Sequence, residues 1–216
     1  MEKIDTTPAS ILPRKVPVQA RSRERFERIL DVSVELIVEK GVDSVAMSEI
    51  AALAKISIAS LYQYFPDKAA IVATLAERYN ADGRACVREV FDNVKAPADM
   101  ILAMHLMAES YYEFFCTVPG GQAVWQASQS DKRLQDMDAE DMEFHAETVG
   151  AAFQRFLPNL SIAERLRLGR LFTGIIGTAV RSAISMDARE ARLFLDECKN
   201  TVLTPSVEKA ILQASN

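Results

Sequence analysis

The sequence predicts an all-α fold, and three observations support this prediction. Apolar residues recur at helical spacing along most of the 216 residues, no window alternates as a β-strand does, and Pro or Gly residues separate the periodic stretches. The composition, 49% hydrophobic and 25% charged, is ordinary for a globular protein. This length accommodates one large domain or two small ones.

Helical spacing begins near residue 21 and continues through the rest of the chain. Residues 1–19 contain three prolines and no sustained periodicity, so we expect a flexible N-terminal tail. The first helix should end at Gly41, and a longer helix should start after Pro66 with Asp67 as its N-cap. Later helices are predicted near 98–118, 122–129, 131–157, 161–186 and 188–203, with a short last helix from residue 204.

Composition excludes several kinds of protein. The three cysteines are far apart and odd in number, which predicts neither a disulfide framework nor a zinc site and favours a reducing compartment. The tail lacks the apolar core of a secretory signal. The most apolar stretch, 100–118, carries one histidine and two glutamates near its middle, which favours a buried helix over a membrane span. We therefore expect a cytoplasmic protein with no membrane contact.

Charge is unevenly distributed along the chain. The net charge of −5 gives no overall reason to expect a nucleic-acid partner. Residues 14–28 nevertheless carry six basic side chains against two acidic ones. Such a basic N-terminal arm on an acidic body is typical of proteins that contact nucleic acid or another anionic surface locally.

Two short helices, 48–54 and 57–64, are separated by only two residues and followed by a third helix. This is the layout of a helix-turn-helix, whose second helix can enter the major groove of DNA. Ser57 can cap the second helix, and the small Ala51 lets the two helices approach closely. The buried seam between them is predicted to comprise Ile50, Leu53, Ile56, Leu61 and Phe65.

Over residues 25–71 the sequence closely resembles the TetR family of bacterial transcriptional regulators. The matching segments are Ile29-Leu30, Gly41-Val42, Glu49-Ile50-Ala51, Ser57, and residues 61–68, LYQYFPDK, which is similar to the family pattern L-Y-x-Y-F-x-x-K. The resemblance implies that 57–64 is the recognition helix of a homodimer that binds a DNA operator. Beyond about residue 99 it implies only a helical dimerisation and ligand-binding domain.

The resemblance also implies which residues contact DNA. Tyr62, Tyr64 and Lys68 would contact phosphates, and Ser60 and Gln63 would face bases. For the tyrosines the alternative is a half-buried aromatic ring, and for Gln63 a solvated surface position. Arg21 and Arg23, expected just before the first helix, would contact phosphates or the minor groove, or belong to a solvated tail. The full predicted set is Arg21, Arg23, Ser48, Ser57, Ile58, Ala59, Ser60, Tyr62, Gln63, Tyr64 and Lys68.

The sequence departs from the family pattern in three places. Ala46 replaces the usual capping Thr, so the first short helix is expected to begin later, at Ser48, at a cost of about 1 kcal/mol. Lys55 replaces the usual turn glycine and would carry strain of about 1 kcal/mol at positive φ. Ile58 and Ala59 replace a more polar or smaller pair, so contact with a thymine methyl could substitute for a hydrogen bond.

Methionine and aromatic residues downstream suit an adaptable pocket for a flat or lipophilic effector. The alternative for each is a place in the hydrophobic core. The candidate ligand-binding residues are Met104, His105, Met107, Tyr111, Phe115, Trp125, Phe144, His145 and Phe153. Neither histidine has a supporting cluster of metal ligands, so we expect no metal and no cofactor.

Glycines inside the helix at 161–186 indicate that another helix approaches closely, because each glycine costs about 1 kcal/mol relative to alanine. The partner is either a helix of the same chain or the matching helix of a second copy, together with the helix at 188–203. The candidate dimer-interface residues are Gly169, Phe172, Thr173, Ile176, Gly177 and Val180.

The predicted domains are the tail 1–19, a DNA-binding domain at 20–68 and an effector-binding and dimerisation domain at 69–216. No phosphate loop or catalytic constellation is apparent, so we expect no enzymatic activity. The predicted function is a repressor that binds a palindromic operator as a dimer and is released by a small apolar or aromatic effector. The alternative is a helical small-molecule-binding protein or enzyme whose helix-turn-helix no longer binds DNA.

Overall fold

The computed structural model describes residues 19–129 and 131–214, and these residues confirm the all-α prediction. No strand occurs among them. A π-helical segment, Lys199–Leu203, joins the last two helices. The α-helices are α1 Ala20–Lys40, α2 Met47–Leu53, α3 Ile58–Tyr64, α4 Lys68–Asp92, α5 Pro97–Thr117, α6 Gly121–Ser128, α7 Lys132–Gln154, α8 Ile162–Ala183, α9 Ala188–Cys198 and α10 Thr204–Ala214.

The described helices group into two compact units. The first unit comprises the described parts of Met1–Arg78 and Pro119–Asp136, and the second comprises those of Tyr79–Val118 and Met137–Asn216. These units place α6 and the start of α4 with the helix-turn-helix, whereas the sequence-based division assigns them to the larger domain. The division at residue 68 stays a prediction.

The first unit is built around one face of α1. Phe26, Ile29 and Leu30 are buried there, and the ring of Phe26 stacks on Phe65 with centroids 5.0 Å apart. The helix ends where predicted, at Gly41, whose φ of 78° lies in the region that glycine tolerates best. This face of α1 therefore supports the two short helices that follow.

The start of α2 differs from the prediction by one residue. The helix begins at Met47 instead of Ser48, although Ala46 has no capping side chain. The Glu49 carboxylate accepts a hydrogen bond from the Ala46 backbone N–H at 2.9 Å and also pairs with Lys40. The Lys40 ammonium and the Ala46 N–H hold the pKa of Glu49 below its ordinary value. Glu49 thus makes one half of a capping box, at the Ala46 N–H, whereas a Thr at position 46 would have accepted from an N–H inside the first turn.

The second unit contains a close crossing of α7 and α8. A Cβ atom at Gly169 would lie 1.9 Å from the carbonyl oxygen of Ala146, so only glycine fits. Next to this crossing, Phe153 and Phe172 stack with centroids 5.5 Å apart. Gly169 in α8 therefore allows close packing inside one chain.

This packing places the six candidate dimer-interface residues on the buried side of α8. Their part in a dimer stays a prediction. They are Gly169, Phe172, Thr173, Ile176, Gly177 and Val180. Glycine periodicity cannot tell whether the approaching helix belongs to the same chain or to another.

No helix within the described ranges combines the length and apolar character needed to cross a membrane.

Gly169→Ala should lower the free energy of unfolding by about 1–3 kcal/mol, because α7 and α8 must separate to admit the new methyl group. Gly83→Ala is the matched control, since a Cβ at Gly83 in α4 meets nothing within 4 Å. The control should raise the free energy of unfolding by about 0.5–1 kcal/mol through helix propensity. Urea unfolding followed by circular dichroism measures both changes, and equal effects would contradict the crossing.

Candidate nucleic-acid interface and effector site

A four-residue turn holds α2 and α3 together as a helix-turn-helix. Lys55 in this turn has φ of 55°, which costs a non-glycine residue about 1 kcal/mol. Ser57 caps α3 as predicted, its hydroxyl accepting a hydrogen bond from the Ser60 N–H at 3.1 Å. The turn therefore forms with Lys55 in the left-handed backbone conformation, although glycine is usual at this position.

The buried seam is confirmed for Ile50, Leu61 and Phe65, each at most 1% exposed. Leu53 is a correction, because it is 49% exposed and Ala54 is buried instead. The buried face of α2 is centred on residues 50, 51 and 54, and at 100° per residue Leu53 points roughly 100° away from that centre. Ile56 is only half-buried.

The opposite face of α3 is open. Ser57, Ile58, Ala59, Tyr62 and Gln63 are exposed, and Ser60 is half-buried beside them. Residues at positions i, i+1, i+4 and i+5 share one side of a helix. The structure thus brings Gln63, a predicted base contact, onto one surface with Ile58, Ala59 and Tyr62, in which Ile58 and Tyr62 are 42% and 44% exposed. We call Ile58, Ala59, Tyr62 and Gln63 the α3 face.

Tyr64 lies on the buried side of α3 and has a packing role. Its ring meets Phe26 edge-on with centroids 6.2 Å apart, and its hydroxyl lies 2.8 Å from the Ser22 hydroxyl. The residue is only 8% exposed. This geometry matches the alternative of a packed aromatic side chain and differs from the predicted phosphate contact.

Lys68 also differs from its predicted role. Its ammonium donates hydrogen bonds to the carbonyl oxygens of Val42, Asp43 and Val45 at 2.6, 3.0 and 3.1 Å. An ammonium has three N–H donors, so these contacts use its whole donor capacity. Lys68 therefore ties the loop before α2 to the start of α4, where Asp67 caps the helix as predicted through a 2.8 Å bond from the Ala70 N–H.

The remaining candidates for DNA contact are exposed. Arg21 and Arg23 lie in the first turn of α1, which begins at Ala20, and so do not precede the first helix as predicted. Ser48 lies in the first turn of α2. Leu53 and Lys55 are also exposed, at the turn between α2 and α3, although the sequence interpretation did not include them among the DNA contacts.

The predicted effector-binding residues divide into three groups. Met104, Met107, Phe115 and Phe153 are buried in the second unit, and Trp125 belongs to the first unit. His105 Nε2 lies 2.9 Å from the Thr204 hydroxyl, and burial lowers the pKa of this histidine. Tyr111, Phe144 and His145 are half-buried and lie next to charged side chains of the second unit.

A polar cluster surrounds His145, and the sequence interpretation missed two of its three members. His145 Nε2 lies 3.1 Å from Asp141 Oδ2, and the Arg84 guanidinium lies 2.8 Å from Asp141 Oδ1. We call Arg84, Asp141 and His145 the α4–α7 cluster. Its histidine Nδ1 atom is buried without a hydrogen-bond partner among the described atoms.

Aromatic rings line the same region of the second unit. The Phe144 ring lies edge-on to His145 with centroids 5.7 Å apart, and the Arg88 guanidinium lies 4.6 Å from the Phe144 centroid. Burial raises the pKa of Tyr111 to about 12, with Arg181 opposing the rise and the charges of Asp138 and Asp141 adding to it. Tyr111 therefore lies close to the α4–α7 cluster.

No group of three or more potential metal ligands occurs among the described residues.

Comparison with known proteins identifies both parts of the chain. Residues 29–75 match a family model described as bacterial regulatory proteins, tetR family. Residues 101–205 match a model described as Tetracyclin repressor-like, C-terminal domain. No curated protein sequence gives a significant match.

Solved structures share the fold at low sequence identity. A TetR-family transcriptional regulator from Pectobacterium atrosepticum has a TM-score of 0.64 at 15% identity, covering 86% of this chain and 94% of that chain. One from Agrobacterium tumefaciens has a TM-score of 0.61 at 16% identity, covering 87% and 98%. The SmeT–triclosan complex has a TM-score of 0.61 at 17% identity, covering 80% and 88%.

Lys68→Ala should lower the free energy of unfolding by about 1.5–3 kcal/mol, because three carbonyls, two of them in part-buried hydrogen bonds, lose a charged donor. Lys68→Arg should not restore it, since a planar guanidinium cannot meet three convergent carbonyls as an ammonium does. Lys132→Ala, which removes only a surface pair with Asp136, is the control and should change little. Thermal unfolding measures the three variants. Unchanged stability in Lys68→Ala, with a shallower salt dependence of DNA binding, would instead support the phosphate contact.

Proposed function

The chain belongs to the TetR family of bacterial transcriptional regulators, and we propose that it is a ligand-responsive repressor that binds a palindromic operator as a homodimer. The observation that carries the proposal is the α3 face, an exposed helical surface held by a buried seam. A single α-helix fits the major groove, which is about 12 Å wide. Two copies related by a two-fold axis would read half-sites about 34–36 Å apart.

The α3 face offers both polar and apolar readout. The Gln63 amide suits a bidentate contact with adenine, and the Ile58 and Ala59 side chains suit thymine methyl groups. The Tyr62 hydroxyl would donate to a phosphate at the edge of the groove. Arg21 and Arg23 add positive charge on α1, so binding should weaken steeply with salt despite the net charge of −5.

Two departures from the family pattern, Ala46 and Lys55, favoured the alternative of a chain unable to bind DNA. Neither prevents the helix-turn-helix from forming. Glu49 holds the start of α2 through the Ala46 N–H, and Lys55 adopts the positive φ that the turn requires. Regulators of this family are generally not enzymes, which agrees with the lack of a catalytic motif in the sequence.

The outward face of α8 is the proposed dimer interface. Leu171, Gly174, Ile175 and Thr178 follow i, i+3, i+4, i+7 spacing, and Leu171 is 52% exposed. A Cβ at Gly174 would meet nothing within 4 Å, so a helix of a second copy can approach the backbone there. Exposed Leu193 on α9, which packs against α8, extends the apolar surface.

Effector binding would act through a difference in affinity between two conformations of the dimer. A small molecule that prefers the conformation with misplaced recognition helices lowers operator affinity, typically by 1–3 kcal/mol of coupling, roughly 5–150-fold. Helix α4 is the proposed link, because it starts in the first unit and continues without a break into the second. The SmeT–triclosan complex supports a small-molecule effector.

Gln63→Ala should abolish preference for adenine at one base pair of each half-site, a loss of about 1–3 kcal/mol or roughly 5–150-fold in discrimination. The operator is first selected from random duplexes with the full-length protein, and fluorescence anisotropy then measures affinity for each base substitution. Gln126→Ala, an exposed glutamine on α6, is the control. Equal weakening on every sequence would show that Gln63 does not read a base, and absence of any selected duplex would refute the proposed function.

Gly174→Glu should convert the dimer to monomer at micromolar concentration, because it places two charges at the two-fold axis. The free space around Gly174 leaves the fold of the protomer intact. Gly83→Glu, at the open helical position in α4, should remain dimeric. Analytical ultracentrifugation gives the mass, and circular dichroism confirms equal helicity. A dimeric Gly174→Glu protein would place the interface elsewhere.

A further inference from the structure

The α4–α7 cluster fixes the hydrogen-bonding character of the buried His145 ring. Asp141 presents one carboxylate oxygen to His145 Nε2 at 3.1 Å and the other to Arg84 at 2.8 Å. A carboxylate only accepts, so the ring proton lies on Nε2. The contact with Asp141 therefore selects the tautomer whose single proton is on Nε2.

In a neutral imidazole whose Nε2 carries the proton, Nδ1 is an acceptor. This atom is buried and has no donor among the described residues. An unmet buried acceptor costs about 1–3 kcal/mol, so a donor brought by a ligand would be favoured there.

The surroundings limit what kind of molecule could bring that donor. Phe144 lies against the His145 ring, and the Tyr111 ring is tilted against Phe115 nearby, with centroids 5.0 Å apart. Three arginines, Arg84, Arg88 and Arg181, and two aspartates, Asp138 and Asp141, share the region, so these five side chains leave one positive charge in excess. This excess opposes a cationic ligand, and a phenolate has lost the proton that Nδ1 requires, which leaves a neutral aromatic molecule with a hydroxyl group.

We propose that His145 Nδ1 accepts a hydrogen bond from a hydroxyl group of the effector, and that the effector is a neutral, mainly aromatic molecule carrying this hydroxyl. The proposal rests on the proposed function in one respect, that the second unit binds an effector. His145 is the contacting residue. Asp141 and Arg84 act through it as positioning residues.

The pair of 2-naphthol and its methyl ether tests the proposal, because the two differ only in the hydroxyl proton and one methyl group. Calorimetric titration of the full-length dimer should show 2-naphthol binding about tenfold more tightly than the ether. His145→Phe should bind both equally. Lys209→Gln, at an exposed position on α10, is the control and should keep the preference.

Asp141→Asn changes the tautomer of His145 and keeps the ring in place. Arg84 will hold the amide oxygen, so the amide nitrogen will face His145 Nε2 and donate to it. The ring proton then moves to Nδ1, which becomes a donor, and since the oxygens of both probes can accept from it, the variant should lose the preference for 2-naphthol. Nitrogen-15 spectra of the imidazole report the tautomer directly, without any ligand.

The proposal is overturned if neither probe binds at millimolar concentration, or if the unmodified protein shows no preference for 2-naphthol. It is also overturned by a preference that survives in His145→Phe, or by an Nδ1 that is protonated in the free protein. Anisotropy of the operator complex is measured separately. Tight, His145-dependent binding of 2-naphthol that leaves DNA bound would contradict the regulatory function while leaving the site assignment intact.

Discussion

The burial of one side of α3 determines what this helix offers to a partner. Leu61, Tyr64 and Phe65 pack inward at the end of a two-turn helix, and their burial fixes its rotation about its own axis. The exposed residues of α3 must then point away from this buried side. An isolated seven-residue helix would be unstable in water, so this packing also accounts for the existence of the helix.

The same dependence explains why two residues of the family pattern need not touch DNA. Tyr64 joins α3 to α1 through Phe26 and Ser22, and Lys68 joins the start of α4 to the loop before α2. Both interactions hold the recognition helix against the rest of its unit. A mutation at either position would weaken DNA binding by disturbing the helix position, which an affinity measurement alone would not distinguish from a lost phosphate contact.

In the second unit, close packing and polar chemistry occupy different faces of α7. One face meets α8 at Gly169, where the Ala146 backbone leaves no room for a side chain. Another presents Asp141 and His145, one turn apart, to Arg84 of α4. The tight crossing gives α7 a fixed rotation, and that rotation makes a precise hydrogen-bond geometry at His145 feasible without further support.

The sequence alone determined what depends on neighbours within about four positions: the all-α class, the ends of helices at Gly41, Ser57 and Asp67, and the family motif. Capping and helical periodicity act within one turn, so they can be recognised from residue order. Only the tertiary structure decided which faces meet. The partners of Lys68 lie 23–26 positions away and Arg84 is 57 positions from Asp141, and such pairs exist only after helices pack. For the same reason the sequence could not decide the surroundings of Leu53 and Gly169. An apolar or small residue fits a buried seam, an exposed surface or a close crossing equally well until its neighbours are in place.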